Sequence, residues 1–119
     1  MLQERMMAQA SKARFNYVEL SVAETARARA FYANSFGWTF TDFGSTYSAT
    51  TSDDTDLGLD ADRKAPPLPV IESSDVAASR DAVVAAGGRL IRDIYDFPGG
   101  RRFEFNDPDG NELAVWQRG

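Results

Sequence analysis

The stretch Phe103-Glu104-Phe105-Asn106-Asp107-Pro108-Asp109-Gly110-Asn111-Glu112-Leu113-Ala114-Val115-Trp116 reads as strand, tight turn and strand. Phe103 and Phe105 share one face of the first strand, and Leu113 and Val115 share one face of the second. That alternation is what half-buried strands require. Pro108 pre-sets φ at the second turn position, and Asp107 is placed to accept from a backbone N–H further on. Gly110 supplies the positive φ that closes the hairpin. Turn chemistry fixes geometry and leaves function open, so the hairpin takes its meaning from what precedes it.

Immediately upstream, residues 89–94 form the next expected strand, with a turn at 97–100. Gly87 and Gly88 end a helix over 76–86, for which Ser73, Ser74 and Asp75 offer caps. Residues 68–72 are a short apolar strand. The segment 60–67 contains Arg63, Lys64 and a proline pair and suits an exposed linker. The first half runs similarly. In residues 15–22, Val18, Leu20 and Val22 lie on one face and Tyr17, Glu19 and Ser21 on the other. An alanine-rich helix follows over 23–34, with Ala23, Ala26, Ala30 and Ala33 as its apolar stripe. Gly37 stops it, 38–43 reads as a strand, 46–51 is rich in β-formers, 52–56 is turn material, and 57–59 resumes a strand.

Setting Gly37 over Gly88 lays Ala26 on Ala77, Arg29 on Arg80, and Trp38-Thr39-Phe40 on Arg89-Leu90-Ile91. Each half is strand, helix, glycine stop and three strands, repeated at a period of about fifty residues. One such βαβββ unit cannot bury both faces of its sheet, and two joined at their edges can. The expected organisation is an N-terminal extension at 1–14 and one domain at 15–119. That domain holds module one at about 15–60, a linker at about 61–66 and module two at about 67–117.

The chain's 119 residues allow one domain with a real core. Its apolar fraction of 43% and charged fraction of 26% are ordinary for a globular protein. Thirteen basic against eighteen acidic residues give a net charge of −5, with no Lys/Arg-rich run, which argues against a nucleic-acid partner. No apolar run reaches membrane-spanning length and no signal-peptide core is present, so the expected location is the cytoplasm. Cysteine and histidine are both absent. That excludes disulfides, thiolate sites and Ser-His-Asp triads, and any metal would have to be held by oxygen ligands. A calcium loop on Asp107, Asp109 and Asn111 fails on spacing, because Glu112 stands where its glycine belongs and Arg118 where its bidentate glutamate belongs.

With these pieces in place the chain resembles the vicinal oxygen chelate superfamily, the glyoxalase/bleomycin resistance/dioxygenase family. Three motifs carry the resemblance: Val18-Glu19-Leu20-Ser21-Val22 leading into Ala28-Arg29-Ala30-Phe31-Tyr32 and Phe36-Gly37-Trp38; the second helix ending in Gly87-Gly88; and the Asp107-Pro108-Asp109-Gly110-Asn111 hairpin. The resemblance implies an α+β fold of two βαβββ modules forming a curved, incompletely closed mixed β barrel around a cavity, usually in a homodimer. It also implies a divalent metal acting on substrate oxygens. The family's ligand positions fall here on Tyr17, on about Gly58 with Asp60 nearby, on Pro69 or Leu68, and on Ala114. None is a strong ligand, which disfavours a metal, and no cofactor is expected.

The leading expectation is therefore a metal-free protein that binds a small molecule in the concave cavity. The candidate lining is Tyr17, Glu19, Trp38, Tyr47, Glu104, Glu112, Ala114 and Trp116. The aromatics Tyr17, Trp38, Phe40, Tyr47, Tyr95 and Trp116 suit flat or cationic ligands. The alternative is a divergent lyase, isomerase or dioxygenase with Glu19 as base and Tyr17 as hydrogen-bond donor. A partner subunit without chemistry of its own is the third reading, and the sequence leaves catalysis open.

Overall fold

The computed structural model describes residues 12–119; most of the expected N-terminal extension, residues 1–11, lies outside the described residues. The chain divides into two compact units, one spanning Asn16–Leu68 and the other Pro69–Gly119 together with residues 12–15. Among the described residues, eight strands and two helices make the expected α+β class.

The first unit contains most of β1 (Ala13–Ser21), then α1 (Thr25–Phe36), β2 (Thr41–Asp42), β3 (Tyr47–Ala49) and β4 (Asp56–Asp60). β4 lies parallel to β1 and antiparallel to β3, which pairs antiparallel with β2. The second unit repeats this topology. It contains most of β5 (Leu68–Ser73), then α2 (Val76–Ala85), β6 (Arg89–Phe97), β7 (Gly100–Asn106) and β8 (Glu112–Arg118). β8 lies parallel to β5 and antiparallel to β7, which pairs with β6. First strand beside last, in both units, is the βαβββ repeat read from the sequence.

The closing hairpin forms as expected. Phe103 stands opposite Val115 and Phe105 opposite Leu113. All four join a core with Val76, Val83, Ile71, Leu90 and Ile94, so this face of the sheet is the one that α2 covers. Asp107 ties the turn: Oδ1 accepts from the backbone N–H groups of Asp109 and Asn111, and Oδ2 from the Asn111 amide, each at 2.9 Å. α2 starts where its caps predict, with the Asp75 carboxylate accepting from Ala78 N–H at 3.0 Å.

Three expectations need correction. The glycine in the left-handed conformation after α2 is Gly87 (φ 101), the counterpart of Gly37 (φ 74), and not Gly88. β1 and β5 keep the expected offset, but α2 is shorter than α1. The stripe Ala23, Ala26 and Ala30 is exposed; α1 instead turns Thr25, Ala28, Arg29, Tyr32 and Ala33 inward, the i, i+3, i+4, i+7, i+8 set. Finally, residues 38–40 form no strand, and β2 is reduced to two residues. Trp38 stacks on Tyr32 at 5.8 Å and meets Phe36 at 5.0 Å, which holds the chain against the end of α1 and away from the sheet.

Candidate ligand site

Period-two alternation in the first unit sets Val18, Leu20, Leu57 and Leu59 on one face and Tyr17, Glu19, Tyr47 and Gly58 on the other. Glu19 stands directly opposite Gly58 on β4, which in turn stands opposite Ala49 on β3. On this polar face the hydroxyls of Tyr17 and Tyr47 are hydrogen-bonded to each other. Tyr47 Oη also donates to Glu19 Oε2 at 2.9 Å. Glu19 is only 7% exposed, so its carboxylate is stabilised by what donates to it. Burial pushes the Tyr47 phenol well above its ordinary range, with the neighbouring Glu19 and then Tyr17 adding to the effect.

Gly58 is what lets this cluster form. A Cβ at position 58 would collide with both tyrosine hydroxyls and stand 2.9 Å from Tyr17 Cε1. The two phenols therefore occupy the volume a side chain at 58 would need. A glycine inside a strand is the sequence-level mark of such close approach. The family resemblance puts a ligand position at this same glycine. Asp60, its neighbour, uses Oδ1 to accept from the Asp62 N–H at 2.8 Å and closes the turn after β4.

The second unit carries its own polar face, opposite the α2 core. Glu104, Ala114 and Val70 align across β7, β8 and β5, flanked by the row Arg102, Trp116 and Glu72. Irregularities in the β6–β7 pairing bring Tyr95 opposite Arg102. Tyr95 Oη donates to Glu104 Oε2 at 2.6 Å, and Arg102 Nε donates to the same oxygen at 2.9 Å. The Arg92 guanidinium lies 3.5 Å from the Tyr95 ring centre. Burial, and then the hydrogen bond to Glu104, push the Tyr95 phenol up to about 12. Trp116 meets Phe97 edge-on at 6.3 Å, with the Arg118 guanidinium 5.0 Å from its ring. Glu112, opposite Asn106, extends the polar face.

Of the sequence candidates, Tyr17, Glu19 and Tyr47 come together in one unit, and Glu104, Glu112, Ala114 and Trp116 share one face of the other. Trp38 joins neither group, being held by α1. Arg102 and Arg92 were missed as site residues, and Tyr95, counted among the aromatics, was not placed in the candidate lining. Their charge and ring types were visible, but the irregular β6 register that gathers them was not.

The strand pairing also resolves the alternative between Pro69 and Leu68. Val70 faces Ala114 as Glu19 faces Gly58, so Leu68 is the counterpart of Tyr17. The four positions at which the resemblance puts metal ligands are thus a tyrosine bonded to its neighbours, a glycine whose side-chain space is filled, a buried leucine and a fully buried alanine. Among the described residues no group of three or more carboxylates is placed to hold a metal. This donor set does not fit a divalent ion.

The family model of the Glyoxalase/Bleomycin resistance protein/Dioxygenase superfamily matches residues 14–115, and the chain belongs to that superfamily. Among individual proteins, the chain is similar to "Putative glyoxylase CFP32" of Mycobacterium bovis, 29% identical over 121 residues that cover 86% of this chain and 44% of the relative. The chain thus spans less than half the length of the curated relatives it matches. Solved structures with the same fold include a Mn(II)-bound glyoxalase from Novosphingobium aromaticivorans, with TM-score 0.67 and 22% identity over 89% of this chain and 40% of that one. Methylmalonyl-CoA epimerase from Mycobacterium tuberculosis aligns with TM-score 0.70 and 14% identity over 88% of this chain and 87% of its own.

Proposed function

We propose that this domain binds a small organic molecule on its tyrosine-lined polar face without the help of a divalent metal. One observation carries the reading: the hydroxyls of Tyr17 and Tyr47 fill the space of a side chain at Gly58, where the family resemblance puts a ligand. A glyoxalase-like or dioxygenase-like activity, which the relatives' names favour, would need donors that positions 17, 58, 68 and 114 do not supply. Partly exposed phenol rings around a buried carboxylate suit recognition by stacking and hydrogen bonding.

The test is a thermal-shift screen of small aromatic and cationic molecules against the purified protein. Hits are expected whose stabilisation disappears in the Tyr17→Ala/Glu19→Ala double variant. Hits that keep their full shift in that variant would place binding elsewhere and remove the support for this face. The homodimer expected from the resemblance belongs to the same proposal. It is supported by the exposed rings of Phe31, Phe36 and Trp38, which are 60%, 61% and 43% accessible.

A further inference from the structure

In the second unit Arg92 stands opposite Glu104 in the β6–β7 pairing, a register in which a cross-strand ion pair is the ordinary outcome. None forms. Glu104 Oε2 accepts instead from Tyr95 Oη at 2.6 Å and from Arg102 Nε at 2.9 Å. The two carboxylates of β6 are engaged as well, Asp93 with Arg80 at 2.7 Å and Asp96 with Arg101 at 3.8 Å. Arg92 is exposed, and among the described residues its guanidinium has neither a hydrogen-bond acceptor nor a carboxylate partner. It lies over the Tyr95 ring, 3.5 Å from the centre. At that separation the two planes must be face to face, because an edge-on guanidinium would drive its nitrogens into the ring.

From this arrangement we infer that Arg92, on its Tyr95 platform, is a docking point for an oxyanion, the carboxylate or phosphate group of a small molecule. A guanidinium stacked on an aromatic face keeps its N–H donors in its own plane, around its rim. That fork matches two oxygens of a carboxylate or a phosphate. The platform is itself anchored. The Tyr95 hydroxyl is held by Glu104, and Glu104 is held by Arg102. An ordinary surface arginine must be ordered by whatever it binds, at an entropic cost that its long side chain makes large. The Arg92 head group is placed beforehand by the ring beneath it. This site belongs to the second unit and does not depend on the binding proposed for Tyr17, Glu19 and Tyr47 in the first.

The experiment follows nuclear magnetic resonance signals of the isotope-labelled whole chain, namely the Arg92 side-chain N–H and the backbone N–H groups of residues 92–96. Sodium acetate and sodium phosphate are titrated separately, each against sodium chloride at equal ionic strength. At least one oxyanion should shift these signals to saturation, and chloride should not. Saturation by acetate alone assigns a carboxylate, by phosphate alone a phosphate, and by both an oxyanion of either kind. Arg92→Gln should abolish the saturable backbone shifts. Arg92→Lys keeps the charge but loses the fork, and should bind measurably more weakly than the wild type. Tyr95→Leu keeps Arg92 but removes the platform, and should weaken binding by about two- to fivefold, the scale of an exposed cation–π contact. Unsaturating drift that is the same in all three salts would overturn the inference. So would wild-type affinity in Arg92→Lys or in Tyr95→Leu. None of these outcomes involves Tyr17 or Glu19, so this inference and the binding proposed above fail separately.

Discussion

Gly58 lies opposite Glu19 across the parallel β1–β4 pair, and the side chain it lacks is replaced in space by the hydroxyls of Tyr17 and Tyr47. One missing Cβ thus separates a strand position able to carry a metal ligand from a closed hydrogen-bonded cluster. The proposed metal-free binding rests on that substitution of volume.

Gly58→Ala should therefore destabilise the protein by about 1–3 kcal/mol, the usual cost of overpacking a closed site. The added methyl drives the two phenols apart. Denaturant unfolding measures the loss, and the Tyr17→Phe/Tyr47→Phe background should recover part of it by removing the hydroxyls. A Gly58→Ala variant as stable as wild type would mean that the cluster yields freely.

Phenol ionisation should be visibly delayed. Burial and the hydrogen bond to Glu104 push the Tyr95 phenol up to about 12 from 10.0. Its neutral form is favoured by the fold, so its stabilising contribution is complete below pH 10.0 and disappears as pH rises to about 12. Ultraviolet titration at alkaline pH follows both this group and the still more resistant Tyr47. Glu104→Gln should lower the Tyr95 value yet leave it above ordinary, because burial is the larger cause.

The hairpin makes the opposite prediction on the acid side. Hydrogen bonds from Asn111, side chain first and then backbone, hold the Asp107 carboxyl below its usual 3.8. The stabilisation it gives is present above that value and is lost as pH falls through the lower, folded-state value. Asp107→Ala should lower the melting temperature at neutral pH and flatten the acid limb of a melting-temperature profile. An unchanged profile would show that Gly110 and Pro108 close the turn unaided.

Much of this architecture was legible because local signals agreed with one another. Asp107, Pro108 and Gly110 specify a turn whatever surrounds them, and Phe103, Phe105, Leu113 and Val115 declare a buried face by alternation alone. Asp75 announces its helix in the same way. What stayed hidden depended on packing. Trp38 alternates like a strand residue, yet its ring gains more by stacking on Tyr32 and Phe36 than by joining the sheet. The alanines of α1 match an apolar stripe, but small side chains bury little area, and Thr25 and Tyr32 set the inward face instead. In the site, Tyr17 and Glu19 could be read from strand parity. Their junction with Tyr47 could not, because it depends on the β3–β4 register and on the empty side chain of Gly58. Tyr95 reaches Glu104 through an irregular strand pairing that no simple period encodes.

The exposed rings at the end of α1 give a prediction about assembly. Light scattering after size-exclusion chromatography should report a dimer, and Phe36→Ser with Trp38→Ser should convert it to a monomer that keeps its circular dichroism spectrum. A monomeric wild type, or a dimer indifferent to both changes, would remove the homodimer from the account.

The most direct measurement is calorimetric titration of chelator-treated protein with Mn(II), Ni(II) and Zn(II), paired with melting temperatures in the same solutions. Positions 17, 58, 68 and 114 lack the donors to grip an ion, so the account predicts no saturable heat and no rise in melting temperature for any of the three. One-to-one binding of any of these ions, with a rise in melting temperature that Tyr17→Ala abolishes, would contradict it.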